Sequence, residues 1–451
     1  MLKKHDELEI TVDEVKFPNI GIVSTFDKEL RIKGLIRGEK AKVRISKKRK
    51  NHYEAKVIEL IEKSPLEKNN PCNHFGICGG CSYQTLNYED ELQYKLDQVY
   101  RLFEMNEIKI NKDELDIIPS PIITGYRNKM EFTFGDEYKD GPLSLGMHRK
   151  NSFYEIETVT DCNICDEDFT KILTSVLDDF RDKNYTFYHK KRHIGLLRNL
   201  VIRKALSTNE IMINIVTTSK EEFDSEAFVK LILSLDLKAE VVSILHSIND
   251  GVADIVKADK LFLLYGREYI TEKICDLEFK ISPFSFFQTN TFGAEVLYDT
   301  AKKFMGDISN KTVFDLYSGT GTIAQIMAKS AKEVVAVEIV DEAVDKAIEN
   351  AKLNNIENIK FNKGDVFKVL DEINVKPDLI VIDPPRPGLE KATQKILDYN
   401  PKEFLYISCN PVTLVNDLKV FLQNDYSINK IILVDQFPRT PHVEVVTLLV
   451  K

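Results

Sequence analysis

The chain lacks any apolar run long enough to cross a bilayer; none approaches the roughly 20 residues that a spanning helix needs, which excludes a helical membrane protein. Its N-terminus, Met-Leu-Lys-Lys-His-Asp-Glu-Leu-Glu-Ile, lacks an apolar core of signal-peptide length, so a cytoplasmic location is expected. The seven cysteines are then expected to be reduced, metal-bound or catalytic rather than paired in disulfides. A positive balance is also missing. With a net charge of −9, a nucleic-acid partner has to be met by local basic surface rather than by the total. Internal repeats and low-complexity tracts are absent. At 451 residues, 43% apolar and 29% charged, the chain is long enough for two or three soluble domains, each with a core.

Chemistry is concentrated near the C-terminus. Leu405 to Thr413 reads Leu-Tyr-Ile-Ser-Cys-Asn-Pro-Val-Thr, a strand-like run followed at once by Cys409 and then by Asn410-Pro411, which opens a helix. A thiol at the carboxyl end of a strand in an open α/β sheet stands where ligands sit and is a candidate nucleophile. The alternative is a small buried hydrophobe. Leu379 to Gly388 ends a second apolar strand at Asp383, and Pro384-Pro385-Arg386 cannot continue it because proline has no N–H. Glu444 offers a carboxylate just before the strand-like Val445 to Val450.

From Lys311 the pattern becomes strand, loop, helix. Thr312 to Tyr317, Glu333 to Ile339, Asn358 to Asn362, Asp378 to Ile382, Phe404 to Ile407, Ile431 to Asp435 and Val443 to Val450 read as strands, with helices over Ile323 to Lys329 and Asp341 to Asn354. That alternation predicts a parallel, doubly wound, Rossmann-like sheet. Ser318-Gly319-Thr320-Gly321 follows the first strand, and Glu338 ends the next, nineteen residues after Gly319. Such an arrangement brings backbone against a ligand and aims a carboxylate at ribose hydroxyls. The third glycine of a dinucleotide fingerprint is missing, which favours S-adenosylmethionine over NAD.

Residues 1–63 alternate apolar and polar in five short segments, Leu8 to Val12, Gly21 to Thr25, Leu30 to Ile36, Ala41 to Ser46 and Glu54 to Glu62, and predict an OB-like β-barrel, a fold that commonly binds single-stranded nucleic acid through a basic groove, with a plain structural barrel as the alternative. Arg31 to Lys50 carries ten Lys/Arg against one acid, and Lys183 to Asn209 carries seven with two histidines and no acid. A solvated face explains one such run; two in an acidic chain point to an RNA-facing surface. Cys78-x-x-Cys81 and Cys162-x-x-Cys165 are also how a tetrahedral zinc site is written, although that leaves Cys72 unused. Glu89 to Phe103 has helical spacing, with Leu92, Leu96, Val99 and Phe103 on one face.

Cys409, Asp383-Pro384-Pro385-Arg386 and Glu444 together resemble the signature of the RNA 5-methyluridine methyltransferases, which methylate uracil C5 with S-adenosylmethionine. The resemblance implies Cys409 as the nucleophile that adds to C6 and Glu444 as the base that removes the C5 proton. It carries over Gln288, Tyr317, Glu338 and Asp383 as cofactor contacts, and Gly319 and Asp365 complete the expected set. Iron–sulfur members show C-x5-C-x2-C and a distant fourth cysteine, which matches Cys72, Cys78, Cys81 and Cys162 and implies a [4Fe-4S] cluster, with Cys165 left over. The N-terminal segment is similar to the TRAM domain, and Tyr126-Arg127-Asn128-Lys129 is similar to a stretch in the RNA-surrounding domain. Arg127, Lys129, His148, Arg149 and Lys150 are candidates for phosphate contact, with ordinary surface charge as the alternative. The implied domains are a TRAM-like barrel (1–63), an iron–sulfur segment (64–88, completed by Cys162), a mixed α+β central RNA-binding domain (89–281) and an α/β catalytic domain (282–451). Barrel plus cluster resemble the ribosomal branch and imply 23S rRNA as partner, with transfer RNA as the alternative; no membrane and no obligate protein partner is expected. A nucleotide-dependent iron–sulfur oxidoreductase and a non-catalytic RNA-binding factor are the rivals of other classes.

Overall fold

The computed structural model describes residues 2–24, 26–68, 72–253 and 256–451. Thr25, the last residue of the second expected strand, and Pro71, at the head of the cysteine segment, lie outside the described residues. Two compact units form, and neither is continuous in sequence: one holds 1–71, 81–120 and 382–451, the other 72–80 and 121–381. Among the described residues no helix is long and apolar enough to cross a membrane.

The first unit begins with a six-stranded sheet: the five expected strands plus a short one, Glu14–Lys16. Strand alternation builds its core. Along Lys40–Lys48, Ala41, Val43 and Ile45 point inward onto Leu30, Ile32 and Tyr53, while the lysines and arginines between them point out. Lys42 and Arg44 reach Glu7 of a neighbouring strand at 3.0 and 2.6 Å, Lys47 and Arg49 reach Glu54 at 3.4 and 2.9 Å, Lys40 reaches Glu62 at 3.4 Å, and Arg31 reaches Glu29 of its own strand at 3.0 Å. Six of the ten cations in that run are therefore ion-paired within the sheet.

The same unit carries strands Glu403–Ser408, Glu444–Val450 and Ser427–Val434 in that spatial order. Glu444–Val450 runs antiparallel to both neighbours, which departs from an all-parallel expectation. Its cause is the connection: residues 435–443 hold no helix, and a parallel return needs a crossover of a dozen or more residues. Helix Tyr88–Glu104 is present, yet its most buried face includes Glu91 and Lys95, while Leu92 and Leu96 are only half-buried. Lys95 Nζ lies 2.8 Å from Glu91 and 2.7 Å from Asp435 and donates to the Phe437 carbonyl at 3.2 Å. Arg439 donates its backbone N–H to Glu91 at 2.7 Å, and the Tyr88 hydroxyl reaches Asp435 at 2.9 Å. The helix thus fixes the segment that leads into Glu444.

The second unit holds a seven-stranded, mostly antiparallel sheet from Ile156–Thr158 to Lys260–Gly266, covered by helices Glu167–Asp182 and Ser225–Leu233 over Phe132, Phe134, Phe169 and Phe180. It also carries parallel strands Ile359–Lys363, Glu333–Glu338 and Thr312–Leu316, with Leu379–Ile382 next in order. Three of the seven cations from Lys183 to Asn209 are engaged internally: Arg198 donates to the Asn249, Gly251 and Ala253 carbonyls, Arg203 to those of Ser282 and Ser285, and Lys204 reaches Asp166 at 2.7 Å.

Lys95→Met is expected to lower unfolding stability by about 3 kcal/mol, since removing one partner strands buried charges; Lys95 is 1% exposed and Glu91 and Asp435 0%. Chemical denaturation followed by circular dichroism reads this, and an unchanged midpoint contradicts it.

Candidate active site

In the first unit, strand pairing delivers the chemistry. Ser408 pairs with Val445 and Val434 with Glu444, so Cys409, one residue past the strand end, falls opposite Glu444. Asn410 caps the helix Pro411–Gln423 by accepting from the Val412 N–H at 3.2 Å, with Pro411 in the first turn where its missing N–H costs nothing. The Asp383 turn is stapled to the Cys409 turn, because the Arg386 carbonyl accepts from Asn410 Nδ2 at 3.0 Å and Thr413 Oγ1 at 3.1 Å. Gly388 has φ +86°, and a Cβ there would stand 2.7 Å from Asp417 Oδ2, an atom that already accepts from the Tyr406 hydroxyl at 2.6 Å and the Leu389 N–H at 3.1 Å.

Burial sets the electrostatics. Glu444, 3% exposed, has its carboxyl pushed up to about 8, by burial first and then by the Asp383 charge, against a lowering influence from Arg386. Burial pushes Asp383 up to about 7. The half-buried Cys409 thiol is pushed up to about 11, by burial and then by Glu444 and Asp383. Two carboxyls that exchange protons near neutrality beside a protonated thiol are suited to nucleophilic and acid–base chemistry on a neutral substrate.

In the second unit, Tyr317 (φ +66°), Gly319 (φ +54°) and Gly321 (φ +74°) turn sharply after Thr312–Leu316. A Cβ on Gly321 would meet Ala347 Cβ at 2.9 Å, so the loop and helix Asp341–Leu353 approach only because glycine stands there. Glu338 Oε2 accepts from the Gly319 N–H and Oε1 from the Val340 N–H, both at 2.9 Å. Each oxygen keeps a further lone pair for a hydroxyl. Gln288 is buried, and its carbonyl accepts from Asn128 Nδ2 at 3.0 Å. Asp365 is exposed and caps a short helix through the Phe367 N–H at 2.9 Å. The motif reading missed two features: Asn128, which holds the Gln288 segment from within Tyr126-Arg127-Asn128-Lys129, and the exposed Ile339 and Val340 directly after Glu338. Two apolar residues following an acid at a strand end were the available signal.

The cysteines divide. In the second unit Cys72 Sγ donates to the Asp161 carbonyl at 3.8 Å, next to Cys162, and the Gly80 N–H donates to Cys78 Sγ at 3.4 Å. In the first unit Cys81 Sγ accepts from Gln84 Nε2 at 3.4 Å. Among the described residues no group of three or more His, Cys, Asp or Glu side chains is gathered as a metal site. Cys165 is buried in the apolar core with Phe169 and Leu173, and its Sγ donates to the Cys162 carbonyl at 3.7 Å.

The parallel strands, the glycine turn and the acid at the second strand end define a Rossmann-like methyltransferase fold. A family model described as tRNA (Uracil-5-)-methyltransferase matches residues 87–451. An uncharacterized RNA methyltransferase of Clostridium acetobutylicum is 48% identical over 450 residues, covering 100% of this chain and 98% of that protein. One of Bacteroides thetaiotaomicron is 35% identical over 438 residues, covering 92% and 95%. The crystal structure of the Pyrococcus abyssi tRNA (uracil-54, C5)-methyltransferase with S-adenosyl-L-homocysteine is similar over 98% of this chain and 99% of that one, at 26% identity and a TM-score of 0.77. The chain belongs to this family of RNA methyltransferases.

Alkylation of Cys409, followed by mass spectrometry across pH, is expected to be slow at neutrality and to rise toward about 11. Above about 8 the ionised Glu444 opposes thiolate formation, so Glu444→Gln should move the midpoint down. A midpoint in the ordinary thiol range, or one unmoved by the substitution, contradicts the assignment.

Proposed function

We propose that the protein methylates C5 of uracil in RNA in the cytoplasm, with 23S rRNA as its substrate. The observation that carries the reading is the strand register that sets Cys409 opposite the buried Glu444. Uracil C5 is too weak a nucleophile to attack a sulfonium methyl unaided. In the proposed sequence Cys409 Sγ bonds to C6, its proton passing to the ionised Asp383, which leaves Glu444 free, and the ring electrons move to O4, which leaves C5 nucleophilic. S-adenosylmethionine, when bound, supplies the electrophilic methyl group. Glu444 then accepts the C5 proton, the ring double bond re-forms, and the Sγ–C6 bond breaks to return the thiolate. The target base has to leave any stack to reach the thiol.

Gln288, Tyr317, Gly319, Glu338, Asp365 and Asp383 are the residues proposed to hold the cofactor. The fit rests on Glu338, anchored by two backbone N–H groups with lone pairs to spare, beside an exposed apolar edge of Ile339 and Val340 suited to an adenosine. We assign the N-terminal sheet a TRAM-like role in RNA binding. A transfer-RNA substrate is the second reading, because the Pyrococcus abyssi enzyme is similar over 98% of this chain, so the N-terminal sheet and cysteine segment alone do not mark a ribosomal enzyme. Mapping 5-methyluridine in a strain lacking the protein separates the two. Loss at a 23S site, restored by the wild type and not by Cys409→Ala, is expected; loss confined to transfer RNA moves the substrate.

Cys72, Cys78, Cys81 and Cys162 are proposed to hold a [4Fe-4S] cluster. The Gly80 N–H donated to Cys78 Sγ is the kind of bond that stabilises a ligating thiolate, and the buried Cys165 is left out. Anaerobically prepared protein should contain about four iron atoms and matching acid-labile sulfide per chain. One zinc and no sulfide overturns the assignment.

A further inference from the structure

Two turns of the second unit present a surface that the reaction chemistry does not use. Strands Leu143–His148 and Ile156–Thr158 are joined by a turn closed by the Arg149 N–H to the Glu155 carbonyl at 2.9 Å and the Ser152 N–H to the Arg149 carbonyl at 3.0 Å. At its tip Phe153 and Tyr154 are 62% and 49% exposed. Their rings meet edge to face at 5.2 Å, and Phe153 also stacks on His148 at 6.2 Å. From the second turn, Lys190 Nζ sits 5.0 Å over the Phe153 ring and Lys191 Nζ 4.7 Å over that of Tyr154. The nearby acids Glu137 and Glu157 are each bonded to Arg149, at 2.8 and 2.9 Å. The cysteine loop buttresses the aromatic turn from behind: the Gly79 N–H donates to the His148 carbonyl at 3.0 Å and the Lys150 N–H to the Ile77 carbonyl at 2.7 Å.

Exposed rings lose hydration cost when covered, and a cation over each ring marks where an anion must come close. A nucleobase satisfies the ring and its phosphate satisfies the ammonium. Here Lys190 and Lys191 lie over two exposed rings. We infer that Phe153 and Tyr154, flanked by Lys190 and Lys191, form a stacking platform for unpaired bases of the RNA substrate. On binding, each ammonium moves from its ring to a phosphate and a base takes its place. The inference rests on the RNA-methyltransferase reading and adds to it where a single-stranded segment is held.

The chain contains no tryptophan, so Phe153→Trp introduces a lone fluorophore at the platform. Its emission is expected to be quenched as a short single-stranded RNA is titrated in, and Phe153→Trp should bind as tightly as the wild type by fluorescence anisotropy of labelled RNA. Phe153→Ala and Tyr154→Ala should each weaken binding between about 5- and 100-fold, with thermal melting unchanged. Lys190→Gln and Lys191→Gln should each flatten the salt dependence by about 0.7 in the log–log slope. Unquenched tryptophan at saturating RNA, or alanine variants within twofold of the wild type, overturns the platform and leaves uracil methylation standing. Quenching with no 5-methyluridine formed in any RNA upholds the platform and overturns the methylation reading.

Discussion

The candidate active site depends on how the last strand pairs. Because Glu444–Val450 runs antiparallel between Glu403–Ser408 and Ser427–Val434, its first residue meets the ends of both neighbours, and a carboxylate there is buried beside Cys409. A one-residue slip would turn Glu444 to the opposite face and bring Val443 or Val445 to the thiol. Burial then does what no single neighbour does. It raises Glu444 and Asp383 toward the neutral range and holds the thiol protonated at neutral pH. A buried charge network holds this register, with Lys95, Glu91, Asp435 and Arg439 pinning residues 435–440 to helix Tyr88–Glu104.

The second unit shows how a region without a recognisable motif supports one that has it. Arg203 fixes the Ser282 to Ser285 segment through two carbonyls, and Asn128 fixes Gln288. Thr320 in the glycine loop donates to the Phe286 carbonyl at 3.2 Å. The segment that the glycine loop rests on is thus held by Arg203 and Asn128, far earlier in the chain.

Much of the fold was legible in the sequence because its signals are local. Strand ends at Leu316, Glu338, Ile382 and Ser408 follow from apolar runs stopped by glycine, acid or proline. What was not legible depends on partners distant in sequence. The run from Arg31 to Lys50 looks basic until Glu7, Glu54 and Glu62 fold against it. Leu92 and Leu96 look like the core face of their helix until Asp435 supplies a buried partner for Lys95. The antiparallel last strand was hidden because a period-two pattern carries no direction. At the site, the residue types and their strand-end positions were readable, whereas the opposition of Cys409 and Glu444 required the register.

The most direct test is a covalent one. RNA carrying 5-fluorouridine at the target position has no C5 proton for Glu444 to remove, so a Cys409–C6 adduct cannot resolve after methyl transfer. With S-adenosylmethionine present, a stable protein–RNA complex carrying one added methyl group is expected, and peptide mapping should find the RNA on Cys409. Turnover on ordinary uridine without any trapped complex on the fluorinated RNA, or a linkage to another residue, would contradict it.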